Sequence, residues 1–282
     1  MADASANKAS TPVVEANGAH IPLLGLGTWQ LRGRACGRIV ELALRLGYRH
    51  VDTAEIYDNE AAVGEGLRAS GVKRADIFVT TKIWPSHYAP GELERAAREC
   101  LVRLRLSEVD LLLLHWPNPQ IPLTETLSAL AKVKRDGLTR HIGVSNFNAA
   151  QIEEAFRAVS EPLVCNQVEC HPFLDQSKLI AACRKHGMAV VAYSPIAQGT
   201  AGNDKVLARI GGAHGKKMCI RDTRYSATLS RQTFATSKCR ARTNVLLMRR
   251  SLPHFGGQID DKLGRLIEIM ERGVCQSSPE TR

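Results

Sequence analysis

The chain has 282 residues, 44% of them hydrophobic, and a formal net charge of +10. That length suits one large α/β barrel or two ordinary domains, and either buries a sizeable core. No apolar run approaches the roughly 20 residues of a membrane span, and eight scattered cysteines without a C-x-x-C pair speak for reduced thiols in a cytoplasmic protein rather than a disulfide framework or a metal site.

The excess charge is uneven. Residues 216–282 carry 14 Lys/Arg against 6 Asp/Glu, whereas the first 215 carry 24 against 22. A basic segment raises nucleic acid as a partner, but these charges are dispersed rather than gathered on one helical face, so no nucleic-acid partner is expected. Residues 1–10 are small and polar, lack the apolar centre of a signal peptide, and read as a loose tail.

Along the chain, Val13 to Glu15 and His20 to Pro22 flank Asn17-Gly18, a hairpin signal. Leu23 to Gly27 is a short buried run. Arg34 to Leu46 has helical spacing and stops at Gly47. The stretch Gly47-Tyr48-Arg49-His50-Val51-Asp52-Thr53-Ala54-Glu55-Ile56-Tyr57 then brings Asp52 to a strand end and Tyr57 to a loop, before a helix over Glu60 to Ala69. A strand over Ile77 to Ile83 carries Lys82 near its end. A helix spans Glu92 to Leu104, and Val109 to Leu114 is an unbroken apolar run, as in a strand covered on both faces. Helix Leu123 to Arg135, strand Arg140 to Val144, helix Ala149 to Val159, strand Leu163 to Val168, helix Leu174 to His186, strand Met188 to Tyr193 and helix Asp204 to His214 complete the alternation.

Seven strand signals, each followed by a helix, suggest a closed (β/α)8 TIM barrel of the α/β class with an N-terminal β-hairpin, rather than two open-sheet domains. Polar side chains gather where strands end: Asp52, Lys82, His115, Ser145-Asn146, Gln167 and Tyr193-Ser194. A barrel puts those ends on one rim, where its active site lies. Taken singly, each has an ordinary explanation: a capping Asp, a packed Tyr, a solvated Lys, a core His. Agreement at six strand ends is hard to attribute to packing. A phenol that serves as an acid needs a neighbouring cation to favour its ionised form, and Lys82 held by Asp52 is the candidate. Two phosphate-loop look-alikes fail. Gly25-Leu26-Gly27-Thr28-Trp29-Gln30 has Gln30 where a dinucleotide fingerprint needs its third glycine, and Gly212 to Lys217 lacks the earlier glycine and the Ser/Thr of a P-loop. An open dinucleotide-binding sheet is therefore the runner-up fold.

The Gly47–Gly64 stretch resembles the first signature of the aldo-keto reductases. Arg140-His141-Ile142-Gly143-Val144-Ser145-Asn146-Phe147 resembles the second, and Leu111 to Pro117 and Thr81 to Trp84 are also similar to family segments. The resemblance runs from about Thr11 to Gly215 and is nearest to bacterial monomeric reductases of the 2,5-diketo-gluconate type. It implies an NADPH-dependent oxidoreductase reducing an aldehyde or ketone, a diketo sugar acid or a methylglyoxal-like carbonyl. Tyr57 would protonate the carbonyl oxygen, Lys82 held by Asp52 would lower the Tyr57 pKa, and His115 would orient the carbonyl. Ser145, Asn146 and Gln167 resemble the residues that hold the nicotinamide carboxamide, and Tyr193 the aromatic on which the ring stacks. Ser194 to Gln198 resembles the pyrophosphate-facing loop. Gly27, Thr28 and Trp29 sit where the family lines the rim, and Trp84 and Trp116 are candidate substrate walls.

Past Gly215 the resemblance decays into an aberrant basic region, residues 216–282. Cys219 to Arg242 offers no apolar eighth strand, and Thr236-Ser237-Lys238, Arg240 and Asn244 match the family's 2'-phosphate motif only in part. Val245 to Met248 is the available substitute strand, and Leu263 to Met270 reads as an amphipathic helix. A reading-frame change would produce such a composition; resequencing the coding DNA across the Gly215 codon tests this, and an unambiguous open frame counts against it. The alternative function is a non-catalytic barrel that at most binds cofactor.

Overall fold

The computed structural model describes residues 11–213 and 245–246. β1 (Val13–Ala16) and β2 (Ala19–Pro22) form the expected hairpin. Its turn residues Asn17 and Gly18 take φ values of 45° and 86°, backbone that Asn and Gly adopt at least cost. The Asn17 amide donates to the carbonyls of Leu163 and His186, at 2.8 and 3.0 Å. Leu163 begins the strand Leu163–Glu169 and His186 caps the helix that precedes the strand Ala189–Tyr193, so the hairpin is tied across the floor of the barrel.

Seven parallel strands follow, neighbours in chain order: β3 (Gly25–Gly27), β4 (His50–Asp52), β5 (Phe78–Ile83), β6 (Val109–Leu114), β7 (Thr139–Ser145), β8 (Leu163–Glu169) and β9 (Ala189–Tyr193). Each leads into a helix: α1 (Gly33–Arg45), α2 (Glu60–Ala69), α3 (Glu92–Leu104), α4 (Leu123–Arg135), α5 (Ala149–Ala158), α6 (Ser177–Lys185) and α7 (Lys205–Ala213). The result is a nearly closed TIM barrel. α6 starts three residues later than its periodicity suggests, because Leu174 belongs to a turn and Asp175 accepts from the Ser177 N–H at 2.8 Å.

Between β9 and β3 sits β10 (Val245–Leu246), paired antiparallel with Leu26 and Gly25 and close to β9. Among the described residues no eighth strand runs parallel to the others. The tail at residues 1–10, the 2'-phosphate-like positions Thr236 to Asn244 and the helix expected at Leu263 to Met270 lie outside the described residues. No helix within them is long and apolar enough to cross a membrane.

Two apolar layers follow from the strand period of two. Val51, Val79, Leu112, Ile142 and Val144 face outward into the helices. Phe78, Leu111, Leu113, Cys165 and Val191 face inward, joined from below by Ala19 and Ile21 of the hairpin. The inward set is tight enough that a Cβ on Gly143 would lie 2.8 Å from the Cys165 carbonyl oxygen and 2.9 Å from a Leu113 methyl. A filled floor leaves the opposite, C-terminal rim for chemistry.

Candidate active site

The same alternation that sends Leu111 and Leu113 inward delivers Asp52, Lys82, His115, Ser145, Gln167 and Tyr193 to the inner edge of the C-terminal rim. Lys82 is fully buried, and Asp52 and His115 are nearly so. The Lys82 ammonium donates to Asp52 Oδ1 at 2.5 Å and to the Thr53 carbonyl at 2.8 Å. An unpaired ammonium at that depth would be strongly disfavoured; the carboxylate and carbonyl make it tenable. The second carboxylate oxygen is also taken: Gln167 Nε2 donates to Asp52 Oδ2 at 2.8 Å.

Tyr57 arrives on a single 3₁₀ turn, Glu55–Tyr57, which ends because Asp58 adopts φ 52°. Lys82 Nζ lies 5.0 Å from the Tyr57 ring centroid, close enough for its charge to act on the phenol. Tyr57 meets His115 edge-on at 5.6 Å and 77°, and His115 meets Trp84 edge-on at 5.2 Å and 89°. Asn59 fixes the far side of the turn. It is buried, accepts from the Thr53 hydroxyl at 2.7 Å, and donates to the carbonyls of Thr28 and Leu31 at 2.8 and 3.0 Å. Asn59 directly precedes α2, but its side chain caps no helical N–H; it staples two rim loops instead.

Burial pushes the Tyr57 phenol above the ordinary tyrosine pKa, and Asp52 adds to that rise, while Lys82 pulls it down. The net direction is upward. The expected lowering by Lys82 is therefore real as a contribution but smaller than the desolvation that accompanies it. Burial works against the Lys82 charge too, yet the Asp52 carboxylate and the phenol oxygen more than compensate and hold the ammonium above its usual value. Burial, aided by Lys82, pushes the His115 imidazole down to about 3. At neutral pH the cluster thus presents a protonated phenol, a charged ammonium and a neutral imidazole whose Nδ1 has no hydrogen-bond partner among the described residues.

A second group converges from β7, β8 and β9. The Ser145 hydroxyl donates to the Gln167 carbonyl at 2.8 Å, Asn146 Nδ2 donates to the His115 carbonyl at 3.0 Å and to Ser145 Oγ at 3.1 Å, and the Tyr193 hydroxyl donates to Asn146 Oδ1 at 2.9 Å. These are neutral donors and acceptors beside a half-buried aromatic face, a set that fits a planar primary amide such as nicotinamide carboxamide. Tyr193 is close enough to Tyr57 for the two phenols to interact electrostatically. Gly27 ends β3 opposite Asp52. The Thr28 hydroxyl is turned away, donating to the Asp52 carbonyl at 3.0 Å. Trp29 and Trp116 are exposed on the rim. Ser194 is buried and Gln198 is exposed, both with positive φ, in the turn after β9. Neither side chain hydrogen-bonds to the cluster around Tyr57 among the described residues.

Three contacts escape the sequence reading: the Gln167–Asp52 bond, the Asn59 staple, and the Glu55 carboxylate, which accepts from the Trp84 N–H at 3.0 Å. No spacing rule marks them, because each joins residues that only the folded rim brings together.

The aldo/keto reductase family model matches residues 23–233, extending past Gly215. Methylglyoxal reductase DkgB of Escherichia coli O157:H7 is 43% identical over 197 residues, covering 69% of this chain and 74% of that protein. A solved structure provisionally assigned as a 2,5-diketo-D-gluconic acid reductase B is 45% identical with a TM-score of 0.73, covering 79% of this chain and 78% of that one. The Bombyx mori aldo-keto reductase in complex with NADP is 34% identical with a TM-score of 0.70, covering 77% of this chain and 80% of its own. Sequence, barrel and family match agree, and the chain belongs to the aldo/keto reductase family.

Proposed function

We propose that this chain is an NADPH-dependent oxidoreductase that reduces an aldehyde or ketone to an alcohol, with Tyr57 as the proton donor. The observation that carries the reading is the buried Lys82–Asp52 pair beside the Tyr57 ring, with His115 and Trp84 meeting edge-on next to it. When bound, the reduced nicotinamide supplies the hydride.

The chain's own residues do the rest. As a carbonyl carbon gains a hydride, negative charge grows on its oxygen, and a donor already in place lowers the barrier. Tyr57 gives its proton to that oxygen, and Lys82 stabilises the phenolate left behind. A raised phenol pKa suits a donor in this direction, because the proton stays on Tyr57 until the substrate oxygen becomes basic enough to take it. His115, neutral at working pH, orients the carbonyl by hydrogen bonding without competing as an acid. Ser145, Asn146 and Gln167 would hold the carboxamide, Tyr193 would support the ring, and Ser194 to Gln198 would face the pyrophosphate. Gly27, Thr28 and Trp29 line the cofactor rim, and Trp84 and Trp116 wall the substrate.

Methylglyoxal and a diketo sugar acid are the substrates to try first, given what the similar proteins are described as reducing. The preference for NADPH rests on family membership and on the NADP-bound Bombyx mori relative. Scattered cysteines without a C-x-x-C pair support a cytoplasmic location, and the protein is read as a monomer.

The test is NADPH oxidation by the wild-type chain and Tyr57→Phe, with cofactor binding followed by tryptophan fluorescence. Wild type turns over, and Tyr57→Phe loses at least about 100-fold in kcat while still binding NADPH. A Tyr57→Phe variant with the wild-type rate, or a cofactor-binding wild type that reduces neither substrate class, contradicts the proposal.

A further inference from the structure

The Tyr57, His115 and Trp84 rings form a row, each edge-on to the next, and the row has two loose ends. Tyr57 rides on a one-turn 3₁₀ helix, and Trp84 lies in extended backbone just past β5. A single carboxylate joins those ends. Glu55, two residues before Tyr57 on the same turn, accepts from the Trp84 N–H through Oε2 at 3.0 Å and places Oε1 2.8 Å from His87 Nδ1. His87 closes the short turn that Trp84 opens, its own N–H donating to the Trp84 carbonyl at 3.0 Å. Glu55 thus grips both ends of the Pro85–His87 turn and completes a circuit from Tyr57 through Glu55, Trp84 and His115 back to Tyr57.

We infer that Glu55 is a positioning residue, whose carboxylate holds Trp84 and His87 against the Tyr57 turn and thereby sets the shape of the substrate wall. This deepens the proposed function and rests on it. The Glu55 side chain is only 13% exposed, so its charge is partly desolvated and its contacts outweigh those of a free surface pair. The His87 contact is a close approach rather than an aligned hydrogen bond, whereas the Trp84 contact is a directed one. The two can therefore be separated chemically. Gln at position 55 keeps an acceptor for the Trp84 N–H and loses the charge facing His87. Ala loses both.

All three tryptophans of the chain, Trp29, Trp84 and Trp116, stand on this rim, so the near-ultraviolet circular dichroism of the free protein reports the wall directly. The experiment compares full-length wild type, Glu55→Gln, Glu55→Ala, His87→Asn and the Glu55→Gln/His87→Asn double variant. It measures kcat and KM for methylglyoxal at saturating NADPH, and the tryptophan dichroism without ligand. KM is expected to rise about threefold in Glu55→Gln and about tenfold in Glu55→Ala, with kcat within about twofold, since a loosened wall misplaces substrate without touching the proton donor. The dichroism changes in the same order, and the double variant is no worse than Glu55→Gln because both changes delete one contact. Folded Glu55→Gln and Glu55→Ala proteins with wild-type KM and dichroism overturn the inference. So does a loss confined to kcat. Should Glu55→Ala fail to fold, the near-isosteric Gln variant still decides. Should wild type itself not turn over, the proposed function fails, while unchanged or altered dichroism still rules on the Glu55 contacts.

Discussion

In the proposed reaction, the acid must be weak enough to keep its proton and close enough to a cation to release it on demand. Tyr57 meets both conditions because desolvation and Lys82 act on the same oxygen in opposite senses. The same burial has a cost elsewhere. His115 is pushed down to about 3 and His50, beside Phe78 and bonded to Thr80 Oγ1, to about 4, both below the ordinary histidine value near 6.5. In that interval the unfolded chain binds more protons than the folded one, so stability is full above about pH 6.5 and falls as pH drops towards 4. Between pH 7 and 5, each of the two histidines contributes a loss of roughly 2 kcal/mol. Urea unfolding at the two pH values checks this: His50→Gln, if it folds, shows a smaller decline than wild type, and a flat profile in wild type contradicts it. Asp52, Tyr57, Lys82 and His115 were legible in the sequence because strand ends in a barrel converge wherever they lie in the chain. The Gln167–Asp52 bond was not, since it spans 115 positions and depends on which way one amide turns.

At the level of elements, α2 carries the rim loop on its N-terminal end, and its placement relies on glycine. A Cβ on Gly66 would lie 2.4 Å from the Gly37 carbonyl oxygen and 2.7 Å from Val40 Cβ, and one on Gly64 would lie 2.3 Å from the Leu104 carbonyl oxygen. α1 and α3 thus approach α2 at backbone contact. On the face towards the barrel, buried Glu60 accepts from Thr81 Oγ1 at 2.5 Å and from Arg103 Nε at 2.7 Å, tying α2 to the strand that bears Lys82 and to α3. Gly66→Ala is expected to cost about 1–3 kcal/mol, the usual penalty for forcing atoms into a packed interface, and to reduce activity by displacing the rim loop. A wild-type urea midpoint would show that the helices can separate freely. Most element bounds were readable from apolar runs and glycine stops. The start of α6 was not, because Leu174 continues the helical period while Asp175 spends its side chain on a turn.

Across the whole molecule, the site draws on the ends of β4 through β9, so chemistry and barrel closure depend on each other. A hairpin plug below, an apolar interior and a polar rim are consequences of one alternating pattern. That pattern was visible in the sequence up to Gly215, and the alternation of strand and helix was enough to choose a barrel over an open sheet. The seam was less legible. β10 fills the gap beside β3 by running antiparallel, and a two-residue pairing leaves no period to read.

In the proposed reaction, hydride passes directly to a carbonyl carbon in front of Tyr57. This transfer is tested most directly by incubating the full-length chain with methylglyoxal and NADPH carrying deuterium at the transferable position of its nicotinamide, then locating the label by NMR. Deuterium on the newly formed carbinol carbon, with its loss in Tyr57→Phe, is the expected result. Folded, cofactor-binding protein that leaves the product unlabelled, or labels it equally in Tyr57→Phe, would contradict the account.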